Sequence, residues 1–440
     1  MSRASSNRAS RFDVSRYACV LRISAAWRFD IGTFLMRMFM YMFTIGTVSM
    51  LTLAGYSAFI AGTVAATISL STFFIGPRVS RRIDERGQRA VVPVAGLIAF
   101  MGLAGLVSSV LFAWPLVCCY AFGCLMGFNP NGPALARARW AYLIRTGRTG
   151  AQDTQGVDVR TAYAYEGILE DIGFTVSPAV NIALAAALHP VAGMVFGGIC
   201  LLVGIAILMT ARDTEPEVGW VPDASSADAS DAARFTAPDS PWVTQSDKTV
   251  FTLSSTVKVL FGSMVLVGLV FGSFDSTVVV FCQDLGEATY ASMVMAVSGV
   301  ISAVSGFVFG AITFKTPPAK MLAIAGSLFG LLYALTFFSF NLPSLFIFTC
   351  LASPLFAPYL ITANSCVEAA VPGSRVTEGI TWMNTGNTIG FAIGPTVAGM
   401  LMDVFGSRWG FSLVLVAGLL FMPLLFGSQK HVREELPERF

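Results

Sequence analysis

Apolar stretches of about 20 residues recur along the whole 440-residue chain. They run over about 29–50, 54–76, 90–113, 116–138, 163–187, 190–210, 256–281, 288–312, 320–340, 343–367, 378–404 and 409–428. A helix of that length, rising about 1.5 Å per residue, crosses the roughly 30 Å hydrocarbon layer of a bilayer. Composition agrees: 55% of residues are hydrophobic and 12% charged, against about 25% charged in a soluble domain. In lipid every backbone N–H and C=O must be paired within the protein, so only helices or closed barrels span it. Barrel strands would be about 10 residues long with strict alternation. The reading is an all-α polytopic membrane protein with twelve spans in two six-helix bundles.

The basic residues set an orientation. With the N-terminus cytoplasmic, 26 of the 28 Lys and Arg fall on the cytoplasmic side, Arg37 and Arg408 being the exceptions. This is the positive-inside pattern, and it requires an even span count. The expected layout is a cytoplasmic tail over 1–28, a first bundle over 29–211, a linker over 212–252, a second bundle over 253–428 and a cytoplasmic tail over 429–440. The linker is rich in Asp, Ser, Ala and Pro with no apolar period, as flexible segments are. Both termini are expected in the cytoplasm of a cell (plasma or inner) membrane protein. No cleavable signal peptide is apparent in the Arg- and Ser-rich start.

The halves repeat. Tyr56 to Gly76 aligns with Tyr290 to Gly310, Ala95-Gly96 with Ala325-Gly326, and Phe122 to Leu125 with Phe348 to Leu351. Ile172-Gly173-Phe174 with Pro178 aligns with Ile389-Gly390-Phe391 with Pro395. The order is kept throughout, and repeated halves with a site between them are a mark of transporters.

Two local patterns carry a family resemblance. The first follows span 2: Gly76-Pro77, then Ser80, Asp84, Gly87 and Arg89. It resembles the loop motif of the major facilitator superfamily, with Ser80 in place of its first glycine and Glu85 where an arginine is usual. Gly87 suits a tight turn. Asp84 could pair with a base or accept from a helix N-terminus, latching one conformation. The second is Gly390 to Gly399 in span 11, with a weaker copy from Gly173 to Asn181 in span 5. It is similar to the glycine-proline pattern of proton-coupled drug-efflux permeases, and a helix-packing seam explains it as well. Span 1 with Arg37, the 134–140 end of span 4, and Glu166, Glu170 and Asp171 of span 5 resemble the same permeases.

The resemblance implies alternating access, with spans 1 and 7 facing each other across a central cavity. Charges inside spans are costly and are functional candidates by default. Asp30, Thr33, Arg37, Tyr41 and Thr44 fall on one face of span 1, so that stripe is expected to line the cavity. The repeat places Asp275 opposite Tyr41, one turn from Arg37. The proton-coupling candidates are therefore Asp275 paired with Arg37, then Glu170, Glu166 and Asp171. A fixed structural ion pair is the alternative. Candidate cavity residues are Tyr41, Phe271, Phe274, Asn129, Asn131, Trp382, Met383 and Asn387. Candidate cytoplasmic gate residues are Asp84, Gly87, Arg89, Arg137 and Arg139, with a static clamp between spans 4 and 5 as the alternative. Pro130, Pro133, Pro354 and Pro358 are expected to bend spans 4 and 10.

The eight cysteines lie mostly in apolar runs without ligand spacing and read as small hydrophobes. No metal site, cofactor, nucleotide-binding loop, nucleic-acid surface or catalytic triad is indicated, so an enzyme is not expected. The expected partners are a small-molecule substrate, protons and the bilayer, and the expected state is a monomer. The leading functional reading is export of small lipophilic organic compounds or drugs in exchange for protons. A symporter importing a sugar, organic acid or other metabolite is the alternative.

Overall fold

The computed structural model describes residues 20, 22–146, 159–218, 249–312, 316–372 and 375–436. Most of the expected N-terminal tail and linker, with the 313–315 loop and the last four residues, lie outside the described residues. The long helices are labelled α1 (Ala26–Leu53), α2 (Ala58–Arg86), α3 (Gln88–Leu111), α4 (Leu116–Met126 and Gly132–Thr146), α5 (Val159–Ala187) and α6 (Ala192–Thr210), then α7 (Ser255–Asp284), α8 (Thr289–Ala311), α9 (Pro318–Ala334), α10 (Leu342–Ala352 and Phe356–Ala370), α11 (Val376–Phe405) and α12 (Phe411–Gly427). Among the described residues, eleven helices are long and apolar enough to cross a membrane. α4 is interrupted between Met126 and Gly132, and neither piece qualifies by itself. Its break contains Pro130, and that of α10 contains Pro354. Proline removes an N–H and collides with the preceding turn.

One boundary differs from expectation. Span 2 was expected to end near residue 76, but α2 continues to Arg86, carrying Pro77 within it. The basic stretch is thus a helical extension, supported by an Arg81–Glu85 pair one turn apart at 2.9 Å. The turn itself is confined to Gly87, whose φ of +85° is open to glycine and strained for other residues.

Two hydrophobic cores form. One gathers buried side chains from Val20 to Ala211, including Phe29, Met36, Leu103 and Trp140. The other gathers those from Val250 to Leu436, including Phe274, Phe329, Tyr359 and Phe421, and takes in Ile45 and Ile182 of the first half. Residues Gln429–Glu435 form a short helix that presses Val432 into this second core. Its Glu435 accepts from the Ser255 and Thr256 N–H groups at 2.7 and 3.0 Å, satisfying the start of α7.

We call the end where α2 finishes and α3 begins the basic end, and the opposite one the far end. At the far end α2 and α11 cross backbone to backbone. A Cβ on Gly62 would overlap the Pro395 carbonyl, and one on Gly399 would overlap that of Ala58. Asp403, near the end of α11, accepts from the Ala58 and Phe59 N–H groups of α2, both at 3.0 Å. A carboxylate on a helix N-terminus is favourable because the free N–H groups and the helix dipole both point at it. Thr396 donates to the Gly62 carbonyl one turn deeper. The far end of the α2–α11 crossing is therefore sealed.

Asp403→Ala is expected to remove about 2 kcal/mol of charge-assisted hydrogen bonding from this closure, a roughly thirtyfold shift toward far-end opening. Labelling of a cysteine introduced at Ile45, in a chain without its native cysteines, by a membrane-impermeant reagent from the far side measures it. Unchanged labelling would rule out the latch.

Candidate functional site

A cavity lies between the halves, in two connected chambers. The deeper has a volume of about 520 Å³ and is walled by Phe174, Phe271, Phe274, Phe307, Tyr333 and Phe356, with Ser298 and Ser302 among its few hydroxyls. Two carboxylates open into it, Asp171 of α5 and Asp275 of α7, and no Lys or Arg is among its lining residues. The second chamber, of about 650 Å³, extends toward the basic end past Tyr41, Thr44, Glu170 and Arg137 on one side and Asn364, Asn384, Asn387 and Thr388 on the other. Ile45, Asp171, Phe174, Phe271 and Phe356 border both chambers.

The charged residues of the first half divide by depth. Arg137 is ion-paired with Glu170, which also accepts from the Tyr41 hydroxyl at 3.3 Å, and this trio faces the cavity. One turn toward the basic end, Arg37 and Glu166 pair at 2.5 Å with both side chains at 0% exposure. The Arg37 guanidinium also donates to the Glu166 carbonyl. The Trp140 indole N–H donates to Glu166 and to Asp30, at 3.1 Å each. Gly173 makes room for this arrangement, since a Cβ there would touch both Arg37 and Tyr41.

The polar stripe of span 1 is thus split. Tyr41 and Thr44 line the cavity, whereas Asp30, Thr33 and Arg37 are buried against α4, α5 and α6. The expected Arg37–Asp275 pair is not formed, because the Arg37 guanidinium is committed to Glu166. Its cause is register. Gly32 of α1 abuts Gly204 and Leu208 of α6, and Gly262 of α7 abuts Leu424 of α12. Matching these two glycines sets Ile45, not Tyr41, opposite Asp275, and puts Arg37 level with Val267. Asp275 then stands eight residues, about 12 Å, farther along the helix than the level of Arg37.

Of the other sequence candidates, Phe271, Phe274 and Asn387 line the cavity. Asn129 is buried with its side-chain oxygen unpartnered, Asn131 caps the second piece of α4 through the Ala134 N–H, and Met383 is buried in the second core. Trp382 stacks on Phe251 with ring centroids 4.7 Å apart. None of these four is among the cavity's lining residues. Arg139 is at 0% exposure and bonds to Gln88, Thr214 and the Ala211 carbonyl, tying α4 to the start of α3 and the segment after α6. That is a tie within one half, made to other elements than the spans 4 and 5 that the static alternative joined. Arg89 pairs with Glu215, which also accepts from its N–H, so this loop residue too is held within the first half. Asp84 is exposed at the basic end.

Sequence reasoning missed Tyr333, Ser298, Phe356 and Asn364. These sit in ordinary apolar runs, and their shared face exists only once α8, α9 and α10 converge on α7. The glycines of the span 11 pattern serve as a packing seam: Gly390 lies on Val265 and Leu269, and Gly394 on Gly272 and Ser273.

Replacing Arg37 by Met strands two buried carboxylates without a cation and is expected to cost about 3–5 kcal/mol. Adding Glu166→Met should restore part of that. Thermal unfolding in detergent checks the order, and a single variant as stable as the double would contradict it.

Comparison with known proteins places this architecture. Residues 317–439 match the sequence pattern described as the Major Facilitator Superfamily. No curated protein matches the sequence. The nucleoside transporter NupG is similar in structure, at 14% identity and a TM-score of 0.62, over 93% of this chain and 99% of that one. The D-xylose-proton symporter is similar at 12% identity and a TM-score of 0.64, over 93% and 97%. The human organic anion transporter MFSD10 is similar at 17% identity and a TM-score of 0.57, over 92% and 99%. The full-length likeness to these structures shows the fold, two helical halves with a cavity between them, and residues 317–439 carry the superfamily's sequence pattern.

Proposed function

We propose that this chain is a transporter of the Major Facilitator Superfamily that exports small, partly apolar organic cations from the cytoplasm in exchange for protons. One observation carries the reading: the deeper chamber combines aromatic walls with two carboxylates, Asp171 and Asp275, and has no basic residue among its lining. Such a chamber attracts a lipophilic cation through charge and through the faces of its aromatic rings. It disfavours an anion, whose charge would meet two like charges at low dielectric. The same carboxylates can hold a proton when the cation is absent. Cation and proton then compete for one site, which is the minimum an antiporter needs.

The seal at the far end and the basic residues at the other support a cavity loaded from the basic end. With the basic end in the cytoplasm, as the distribution of Lys and Arg favours, the second chamber takes its solute from the cytoplasmic side of a cell membrane. One chain encloses the whole pathway, in keeping with a monomer. A second reading has its own support. Asn364, Asn384, Asn387 and Thr388 offer amides and hydroxyls suited to a hydroxylated solute such as a sugar or nucleoside, which would fit a proton-coupled importer.

Cells stripped of their own pumps and loaded with a fluorescent lipophilic cation separate the two. Expression of the chain is expected to produce protonophore-sensitive efflux that falls at least tenfold in Asp275→Asn and markedly in Asp171→Asn at unchanged protein level. Efflux that survives both substitutions would remove these residues from the mechanism. Absence of efflux for any cation, with proton-dependent uptake of a sugar or nucleoside into proteoliposomes, would establish the importer instead.

A further inference from the structure

The buried cluster of α1, α4 and α5 holds more negative charge than its cation can balance. Asp30 and Glu166 are both buried, and both accept from the single indole N–H of Trp140 at 3.1 Å. Both carboxyl groups thus converge on one N–H. Two ionised carboxylates carry no donor of their own, so one N–H serves two like charges unless one of them holds a proton. Arg37 can neutralise one of them, and its guanidinium is bonded to Glu166.

Among the described residues no other cation is bonded to either acid. From α4 the facing groups are Trp140 and Arg137, and Arg137 is paired with Glu170. Arg139 of the same helix turns away to Gln88, Thr214 and Ala211. From α5 the neighbours are Tyr165, beside Asp30, and Glu170. From α1 itself they are Arg37 and Tyr41, and α6 packs on this part of α1 through Gly204 and Leu208, which carry no charge. A net negative charge sealed from water at low dielectric is costly, and two carboxylates sharing one site relieve it by retaining one proton.

The second half shows that the fold does not require these charges. Under the register set by Gly32 and Gly262, Asp30 and Arg37 correspond to Leu260 and Val267. Under the registers of the repeated motifs, Trp140 and Glu166 correspond to Cys366 and Met383. All four counterparts are buried and apolar or nearly so. Packing alone is served without acids, a guanidinium or an indole at these depths.

We propose that Asp30 and Glu166 form a proton-binding site holding one shared proton, separate from the cavity carboxylates Asp171 and Asp275. Arg37 and Trp140 act as its positioning residues. The site borders the pathway without opening into it: Gly173 touches both Arg37 and Tyr41, and Tyr41 donates to the cavity-facing Glu170. A shift of α1 against α5 would change how closely Arg37 is held to Glu166, and with it the grip on the proton. Its use in transport rests on the proton-coupling reading above, but its occupancy can be measured with no substrate present.

The test uses full-length protein in lipid nanodiscs carrying Asp171→Asn and Asp275→Asn, so that the acids of the deeper chamber contribute nothing, while Glu170 stays paired with Arg137. Infrared difference spectra between acidic and alkaline buffer, in H2O and D2O, read the carbonyl stretch of a protonated carboxyl group. The expected result is one such band, present at neutral pH, shifted down in D2O, and lost when Asp30→Asn is added. Trp140→Phe provides the second variant. It removes a donor that favours the ionised form, so the band should persist and titrate at higher pH. A band that survives Asp30→Asn, a midpoint unmoved by Trp140→Phe, or no protonated carboxyl at neutral pH in the starting protein would each overturn the proposal. None of these outcomes depends on which solute is carried, so they leave the substrate reading to its own experiment.

Discussion

α11 meets two partners through its backbone, and the architecture depends on that contact. Along much of its length it lies against α7, with Gly390 and Gly394 on one side and Gly268 and Gly272 on the other. At the far end the same helix meets α2 through Gly399 and Gly62. In lipid the hydrophobic effect does not draw helices together, because the surrounding tails are as apolar as the side chains. Close approach of backbones supplies the dispersion contacts instead, and only small residues permit it. One helix thereby belongs to its own half and to the closure between halves.

Lipid also leaves helix ends in need of partners, and distant carboxylates meet that need. Asp403 of α11 covers the start of α2, Glu215 after α6 accepts from Arg89 at the start of α3, and Glu435 covers the start of α7. Each exploits the four unpaired N–H groups at a helix N-terminus. Only the first joins the two halves, so that contact must break if the far end is to open. The other two tie elements within one half.

The halves share helix packing but differ in what lies inside it. The first half has a charged interior in Arg37, Glu166, Asp30 and Trp140, whereas the second fills the corresponding depths with Val267, Met383, Leu260 and Cys366. The cavity between them is lopsided in consequence. Ion pairs and Tyr41 stand on the α1, α4 and α5 side, and an isolated carboxylate, Asp275, stands in an aromatic wall on the other. An alternating-access cycle built on this pair of halves would place its titrating groups unequally between them.

The all-helical membrane-spanning character, the repeat and the ionisable residues inside the spans were legible in the sequence because each rests on composition or short-range order. A run of 20 apolar residues is a statement about solvent, and lipid leaves the backbone one local answer. Asp171, Asp275, Glu170 and Tyr41 stood out for the same reason, since any polar group in such a run needs an explanation. Partner choice was not legible. Arg37 could be read against Asp275 only through an alignment of the repeats. A register error of four residues is one helical turn, enough to exchange a cavity pair for a sealed contact with Glu166. Arg139, two residues from Arg137, turned out to be a clamp because α4 presents the two to different neighbours. The aromatic wall of Phe356, Tyr333 and Phe307 came only from the convergence of separate helices. Sequence thus determined that this chain spans a membrane as a repeated helical bundle with charges held inside it. Tertiary structure decided which charges meet, because side-chain pairing depends on the depth and rotation of helices relative to one another, and no local period encodes either.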